Sequence, residues 1–207
     1  MYKNSIKRCL DIILSLLAII ILSPLFIIIT IYVAVTMGFP VLFSQDRIGK
    51  DEVPFKLYKF RSMTNAKDKN GNLLDESKRL TKAGKFLRST SLDELPELFS
   101  ILKGDMSFVG PRPLPTYYGP YFHKKERIRH TVVGGLIPCD DLSGKTMISW
   151  EEQFKYDVYY AKHVSFILDV RIIIATIGIL IDRMKNDYGE ESIERPHLNE
   201  YRKDEAL

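Results

Sequence analysis

The chain has little cysteine and little net charge, and both shortages exclude classes of protein. Among 207 residues there are two isolated cysteines, Cys9 and Cys139, so neither a disulfide framework nor a cysteine-based metal site is expected. The formal net charge is only +4, from 30 basic and 26 acidic residues. Without a zinc-finger or RNA-binding signature, so small an excess argues against nucleic acid as a partner. It suits anionic membrane lipids or phosphorylated substrates instead.

Charged residues are also absent from the whole stretch between Ile12 and Val35. As a helix these 24 residues would extend roughly 36 Å, which is enough to cross a bilayer. Ser23 and Pro24 interrupt the run near its centre. Pro24 removes one helical hydrogen bond and favours a kink, and Ser23 could bond back to the carbonyl that is left without a donor. The stretch therefore predicts a kinked membrane helix.

Two topologies are open for this helix. Basic residues flank both of its ends, so the asymmetry that usually orients a spanning helix is missing. A re-entrant helix that enters and leaves on the cytoplasmic side would place both clusters at one surface. Prolines also occur within spanning helices, so the residues alone do not decide between the two. The flanking cations are Lys3, Lys7, Arg8, Arg47, Lys50, Lys56 and Lys59.

The segment between Ser91 and Pro113 contains the highest concentration of candidate functional residues. An apolar helical stripe, spaced by three and four residues, accompanies two adjacent carboxylates, Asp93 and Glu94. Ser91 and Glu94 could form a capping box, or Asp93 could be the N-cap with Pro96 in the first turn. In both registers the carboxylates lie near the positive end of the helix dipole, which favours their ionised forms. The stripe consists of Leu92, Leu95, Leu98, Phe99 and Leu102.

A short strand and a stiff basic turn are expected after this helix. Gly104 suits a helix C-cap, and the segment 106–109 is short enough to be a strand. In the segment 110–113 Arg112 stands between Pro111 and Pro113, whose φ angles are fixed.

Cations precede the carboxylates in two other segments. Residues 53–63 are rich in aromatics and predict a strand, on which Lys59 and Arg61 would share one face and could span a diphosphate. A solvated strand face is the alternative for this pair. Residues 81–90 predict a short helix that carries Arg88, whose planar guanidinium suits a phosphate.

Taken together, these motifs resemble those of the bacterial sugar transferases, small monotopic phosphoglycosyl transferases that load a sugar phosphate onto a polyprenyl phosphate. The resemblance is carried by the string 91–113, by Gln45-x-Arg47-x-Gly49 and by Lys59-Phe-Arg-Ser-Met63. It covers nearly the whole chain and is strongest over residues 1–63, 81–113 and 148–170. It implies the first membrane step of glycoconjugate assembly, of which protein N-glycosylation is one case.

The resemblance also implies a fold and a location. The expected fold is α+β, a small and mostly helical domain that faces the cytoplasm, with interfacial amphipathic helices. Residues 1–38 would be a re-entrant membrane helix broken at Ser23 and Pro24, residues 39–185 the catalytic domain, and residues 186–207 a charged C-terminal tail. The chain would lie in the bacterial inner membrane, and a homodimer is allowed.

Specific site residues follow from the same resemblance. Asp93 would be the nucleophile that takes the phosphosugar from a UDP-sugar and releases UMP. Glu94 would activate or position the polyprenyl phosphate, which the resemblance implies is undecaprenyl phosphate. Asp93 and Glu94 would also hold Mg²⁺. The substrate-binding candidates are Lys59, Arg61, Arg88, Pro111, Arg112 and Arg129.

The chain departs from the family pattern over residues 131–147. The family has an Arg-Pro-Gly turn there, followed by Thr-Gly and Gln-Val-Asn-Gly-Arg, whereas this chain has a different sequence with Arg129 and Lys145 nearby. The departure leaves the sugar and nucleotide specificity open. Two other classes of function are also compatible with the residues, a non-catalytic scaffold that binds anionic lipid and a nucleotide-sugar hydrolase.

Overall fold

The computed structural model describes residues 2–185 and 195–205. It shows a mixed helical and β fold in which helix predominates, as expected. Part of the proposed C-terminal tail, residues 186–194, lies outside the described residues. In chain order the helices and strands are α1 (Lys7–Met37), β1 (Leu42–Ile48), β2 (Pro54–Phe60), α2 (Glu76–Arg79), α3 (Lys82–Ser89), α4 (Glu97–Lys103), β3 (Met106–Gly110), β4 (Gly134–Pro138), α5 (Trp150–His163), α6 (Phe166–Lys185) and α7 (Leu198–Tyr201).

Helix α1 contains the apolar run and continues through Pro24 for 31 residues. Among the described residues it is the helix that is long and apolar enough to cross a membrane. The hydroxyl of Ser23 donates to the carbonyl of Ile20 at 2.8 Å. Because Ile20 lies four residues before Pro24, this is the carbonyl that the proline leaves without a helical donor. The predicted compensation by Ser23 is therefore confirmed.

Both ends of α1 contact the rest of the protein. Near its start, the guanidinium of Arg8 donates to the carbonyls of Ile101 and Leu102 at the end of α4, at 2.6 and 2.7 Å. Near its end, Ile29 and Val33 are buried in a cluster with residues of β2 and α3. The opposite face of α1 exposes a continuous set of large apolar residues. These include Ile13, Leu17, Ile20, Ile21, Ile27, Ile28, Ile31 and Val35.

Two pairs of strands frame the centre of the domain. Strands β1 and β2 form an antiparallel hairpin, in which Gln45 is paired with Leu57. Strands β3 and β4 are parallel, and β4 comes from the segment in which the sequence departs from the family pattern. Helix α4 packs between them, and its Leu98 and Ile101 are buried with Leu57 of β2 and Met106 of β3. Residues on β2, on α4 and after β3 are thereby brought to one region.

The start of α4 differs from both predicted registers. Leu92–Glu94 forms a 3₁₀ turn, and α4 begins at Glu97, after Pro96 as its N-cap. Ser91 adopts a left-handed conformation with φ 54° and caps nothing with its side chain. The capping-box prediction and the Asp93 N-cap prediction are both wrong, because Pro96 has no N–H for a continuing helix and the chain turns sharply at Ser91. Asp93 and Glu94 thus precede the α-helix rather than forming its first turn.

The predicted end of α4 is confirmed. Gly104 ends α4 with φ 105°, a left-handed conformation that glycine adopts without steric cost. Two further helices carry side-chain caps: Thr81 caps α3 by accepting from the N–H of Gly84, and Ser149 caps α5 by accepting from the N–H of Glu152.

Helix α6 and the last described segment pack on α5. At the start of α6 the Asp169 carboxylate accepts from Tyr160 of α5 at 2.7 Å and from Lys7 of α1 at 2.6 Å. In the last segment Leu198 is completely buried in a core cluster with Trp150 and other residues. Residues 195–205 therefore belong to the packed body of the protein. The proposed division of the chain into three parts stays a prediction.

Candidate active site

The adjacent carboxylates Asp93 and Glu94 lie on the 3₁₀ turn that follows α3. Asp93 is buried, with 7% of its surface exposed. The pKa of the Asp93 carboxyl is raised to about 6, first by burial and then by the negative charge of Glu94, while Lys59 and Arg88 act in the opposite direction. The turn lies before α4, so the two carboxylates are not in the first turn of that helix, and help from the helix dipole stays a prediction. The nearby cations Lys59 and Arg88 favour the ionised form of Asp93.

Lys59 of β2 is the cation that contacts the acidic turn directly. Its Nζ lies 2.5 Å from Oε1 of Glu94 and 3.3 Å from Oε1 of Glu97, so one ammonium group is shared by two carboxylates. The hairpin positions Lys59, because Leu57 of the same strand is buried against α4. The structure thus joins the predicted residues Lys59 and Glu94.

Arg88 approaches the same turn from α3. Gly84 allows this approach, since a Cβ at Gly84 would lie 1.8 Å from the carbonyl oxygen of Ser62. With α3 packed so closely, the Arg88 Nε donates to the hydroxyl of Ser62 at 3.0 Å. The charge of Arg88 acts to lower the pKa of Asp93, so the two groups lie within electrostatic range. The guanidinium of Arg88 is partly exposed and accessible to a ligand.

Arg61 lies just beyond the strand that carries Lys59. Strand β2 ends at Phe60, so it is shorter than the aromatic pattern indicated, and Arg61 is buried. The Nε of Arg61 is a buried donor that has no hydrogen-bond partner among the described residues. A face shared by Lys59 and Arg61, and their joint contact with a diphosphate, stay predictions.

Arg112 lies on the turn after β3, between two buried prolines, Pro111 and Pro113. Its own side chain is exposed, so a ligand can reach it. Desolvation acts to lower the pKa of Arg112, but nearby carboxylates outweigh this effect and raise the pKa overall. These carboxylates are Glu94, Asp140, Asp141 and Glu97. Arg112 therefore lies within electrostatic range of the acidic turn.

Arg129 supports this turn from behind. Its Nη2 donates to the carbonyl of Arg112 at 2.7 Å, and its Nε donates to the Asp157 carboxylate at 2.8 Å. With only 1% of its surface exposed, Arg129 is enclosed by protein. The structure does not bring its guanidinium to Asp93, in contrast to Lys59 and Arg88. A substrate contact by Arg129 stays a prediction, and its observed contacts are structural.

Two charged residues near the site were not among the sequence candidates. Glu97 is 3% exposed, and burial raises its pKa to about 7, while the nearby Lys59 acts to lower it. Arg47 of β1 donates to the carbonyl of Pro113 at 3.2 Å, and its pKa is lowered by burial and by the charge of Arg112. Glu97 lies three residues after Glu94 in the 91–113 string, and this spacing was the sequence feature that could have marked it as a site residue. Arg47 was noted as a cation that follows the apolar run and within the Gln45-x-Arg47-x-Gly49 motif, but not as a site residue.

The carboxylates of Asp93 and Glu94 have the donor chemistry that suits Mg²⁺. Within residues 2–185 and 195–205, no group of three or more histidine, cysteine, aspartate or glutamate side chains forms a metal site. Magnesium commonly uses one or two carboxylates, with substrate phosphates and waters as its other ligands. The residues present therefore fit a metal that is held jointly with a phosphorylated substrate.

Chemically, the site combines a buried carboxylate with several cations from different elements. A buried aspartate that stays ionised beside lysine and arginine can act as a nucleophile toward phosphorus. The surrounding cations can stabilise the charge that develops on phosphate oxygens during such an attack. The geometry thus favours phosphoryl transfer, and it does not by itself identify the substrate.

Comparisons with known proteins agree with this chemistry. A family model described as bacterial sugar transferase matches residues 2–183. The chain is 41% identical over 172 residues to the uncharacterized sugar transferase EpsL of Bacillus subtilis, covering 83% of this chain and 85% of that protein. It is 39% identical over 182 residues to the UDP-glucose:undecaprenyl-phosphate glucose-1-phosphate transferase of Klebsiella pneumoniae.

The relatives with a named reaction are longer proteins. The match covers 83% of this chain but 39% of the Klebsiella protein. A UDP-N-acetylgalactosamine-undecaprenyl-phosphate N-acetylgalactosaminephosphotransferase of Aeromonas hydrophila is 35% identical over 184 residues, which are 85% of this chain and 44% of that protein. The two named reactions share the chemistry and differ in the sugar.

Proposed function

Because this chain belongs to the bacterial sugar transferase family, we propose that it is a phosphoglycosyl transferase that moves a phosphosugar from a UDP-sugar to a polyprenyl phosphate. The relatives named for this reaction use undecaprenyl phosphate with different UDP-sugars. One observation carries the proposal for this chain. The buried Asp93 lies on a turn that Lys59, Arg88 and Arg112 surround from three different elements.

In the first step, a carboxylate oxygen of Asp93 attacks the phosphorus that bears the sugar. A bond forms between this oxygen and phosphorus, and the bond to the oxygen of UMP breaks, so UMP leaves with the electron pair. The phosphosugar stays on Asp93 as an acyl phosphate. Arg88 and Arg112 stabilise the charge on the phosphate oxygens during the attack.

In the second step, an oxygen of the polyprenyl phosphate attacks the same phosphorus. Polyprenyl-diphosphate-sugar forms and Asp93 is released as a carboxylate. Glu94, which Lys59 contacts, positions the lipid phosphate or removes its proton. When bound by Asp93 and Glu94, Mg²⁺ supplies neutralisation of the phosphate charge.

The packing of α1 supports a monotopic, re-entrant arrangement. The catalytic domain contacts α1 near its start through Arg8 and near its end through Ile29 and Val33. A helix that crossed the bilayer would separate its two ends by the thickness of the membrane, and a domain on one side could not contact both. We therefore propose that both ends face the cytoplasm at the inner membrane of a bacterium, with α6 at the interface. A homodimer stays a prediction.

Labelling of a cysteine placed at Lys3 tests this topology in intact cells. We expect a membrane-impermeant thiol reagent to leave residue 3 unmodified until the cells are opened. Labelling in intact cells would place the N-terminus outside and would contradict the re-entrant proposal. Pro24→Ala should straighten α1 and increase the labelled fraction.

The reaction itself is tested by the release of UMP from a panel of UDP-sugars, with and without polyprenyl phosphate. We expect one sugar to be preferred and continuous turnover to require the lipid. A nucleotide-sugar hydrolase would turn over without lipid, and a non-catalytic scaffold would release no UMP. Asp93→Asn is the control, because it keeps the shape of the side chain and removes the anionic oxygen.

A further inference from the structure

Glu97 is a buried carboxylate for which the proposed mechanism has no task. It occupies the first position of α4 and is 3% exposed. Its Oε1 lies at ion-pair distance from Lys59, 3.3 Å from Nζ, but no described residue donates a well-aligned hydrogen bond to it. Keeping a carboxylate in such a place is costly unless a cation balances it. Because Glu97 contacts Lys59, a residue of the candidate active site, its burial there calls for a functional explanation.

Lys59 is the only cation at contact distance from Glu97 in the part of the chain that the structure describes. The same ammonium group lies 2.5 Å from Oε1 of Glu94. A lysine ammonium has three donors, so it can serve two carboxylates and still turn one donor to a ligand. The three residues come from β2, the 3₁₀ turn and α4, and their meeting depends on the packing of the hairpin on α4.

We propose that Glu97 is a positioning residue, which shares Lys59 with Glu94 and so keeps Glu94 available for the lipid phosphate. This inference rests on the proposed function, and it assigns a role to a residue that the mechanism otherwise leaves aside. With Glu97 present, one positive charge is divided between two carboxylates. Without it, Lys59 and Glu94 form a closed pair of one cation and one anion. A carboxylate in such a pair is a weaker acceptor for the proton or phosphate of a second substrate.

The proposal separates the two half-reactions. Glu97 acts through Lys59 on Glu94, whose task belongs to the second step. Formation of the Asp93 adduct depends on Asp93, on the arginines around it and on the positive charge of Lys59, all of which Glu97→Gln leaves in place. Loss of the Glu97 charge should therefore slow transfer to the lipid and leave the first step nearly unchanged. A general loss of packing would slow both steps together.

The experiment compares the wild type with Glu97→Gln, which keeps the shape and removes the charge. Assays are run at pH 8, above the pKa of about 7 for Glu97. The first step is measured as the burst of UMP from the preferred UDP-sugar without lipid, and the second as turnover with undecaprenyl phosphate. We expect lipid-dependent turnover to fall about tenfold, the size typical for loss of one charged contact, while the burst rate stays within about twofold. Glu97→Asp keeps the charge and should restore part of the turnover.

Two controls distinguish positioning from stability. Glu126→Gln makes the same chemical change in a remote ion pair with Arg202, and it should alter neither half-reaction. In a Lys59→Met background, Glu97→Gln should cause no additional loss, because the residue through which it acts is gone.

Several results would overturn the proposal. One is equal slowing of the burst and of lipid-dependent turnover in Glu97→Gln; another is wild-type turnover. If Glu97→Gln does not fold, Glu97→Met, whose side chain has a similar volume, replaces it. If neither variant folds, Glu97 has a purely structural role and the proposal is wrong. Absence of a burst in the wild type would instead count against the covalent route in the proposed function.

Discussion

Two clusters in this protein are built from the same kinds of charged side chain but differ in how completely those side chains are paired. The interior cluster consists of Arg129, His130, Cys139 and Asp157. Its central residues, Arg129 and Asp157, are 1% and 0% exposed. Arg129 donates to Asp157, to the carbonyl of Arg112 and toward His130, and Cys139 donates to the other oxygen of Asp157.

The site cluster consists of Lys59, Asp93, Glu94, Glu97 and Arg112, and its pairing is incomplete. Oε1 of Glu97 is buried without a well-aligned donor, and the side chain of Arg112 is exposed while it faces several carboxylates. Buried polar groups in proteins are normally satisfied, so spare capacity marks a place where a ligand completes the pairing. Charge and burial alone therefore do not identify a site, because both clusters have them. The site cluster is distinguished by incomplete pairing beside an accessible cation.

The largest effect is expected from the site cluster, with Asp93→Asn. Lipid-dependent UMP release should fall by at least on the order of a thousandfold, as for removal of other nucleophiles. Stability should not fall, because the raised pKa shows that burial disfavours the ionised aspartate and asparagine carries no charge. The measurement pairs the turnover rate with the thermal unfolding midpoint. A variant that keeps a tenth of the wild-type rate would remove Asp93 from the chemistry.

Arg129→Ala should produce the opposite pattern, in which stability is lost first. It leaves the Asp157 carboxylate buried without its cation, and breaking such a pair typically costs about 3–5 kcal/mol. Chemical denaturation at neutral pH measures the change in the free energy of unfolding. The double variant Arg129→Met with Asp157→Leu should recover part of the loss, since it removes both charges. A normal unfolding free energy for Arg129→Ala would contradict the assignment of this cluster to the scaffold.

Arg112→Ala separates the roles of two arginines at the same turn. Arg112 lies on the turn and is proposed to contact substrate, whereas Arg129 supports the turn by donating to the Arg112 carbonyl. Loss of a charge-assisted contact in the transition state costs about 2–4 kcal/mol, so turnover should fall on the order of a hundredfold. The fold should persist, because the exposed side chain of Arg112 is not needed to hold its own carbonyl. Turnover and circular dichroism are measured on the same sample. Near-normal turnover would exclude Arg112 from the site.

The smallest effect is a dependence of stability on pH in the interior cluster. Burial, followed by the charge of Arg129, lowers the pKa of His130 to about 4. Between pH 6.5 and about 4 the unfolded chain binds a proton at His130 that the folded chain does not bind. The stability of the fold is therefore unaffected by His130 above pH 6.5 and decreases as the pH falls towards 4, by on the order of 2 kcal/mol. His130→Gln should flatten this part of the curve, and an unchanged slope would contradict the prediction.

The sequence predicted those features that depend on neighbours in the chain. The uncharged run, the Ser23 hydroxyl opposite Pro24 and the end of α4 at Gly104 are local features, and the structure contains each of them. The start of α4 was mispredicted because the left-handed turn at Ser91 and the break at Pro96 outweigh the capping pattern.

The features that could not be predicted depend on distant contacts. Glu97 meets Lys59 only because the β1–β2 hairpin packs on α4, 38 residues further along the chain. Arg129 is separated from its partner Asp157 by 28 positions in the sequence. A pattern of residue types shows that charges are present in a segment. Their pairing, which distinguishes scaffold from site, is set by the tertiary fold.

The proposed mechanism requires Asp93 to be a covalent nucleophile, and the mass of the intact protein tests this directly. The wild type is incubated with its preferred UDP-sugar and Mg²⁺ in the absence of polyprenyl phosphate, and its mass is compared with that of Asp93→Asn. We expect the wild type to gain the mass of one phosphosugar, which is lost on treatment with hydroxylamine and lies on the peptide that contains Asp93. We expect no gain for Asp93→Asn. An unmodified wild-type mass, under conditions in which adding the lipid restores turnover, would show that the lipid phosphate attacks the UDP-sugar directly and would contradict the covalent mechanism.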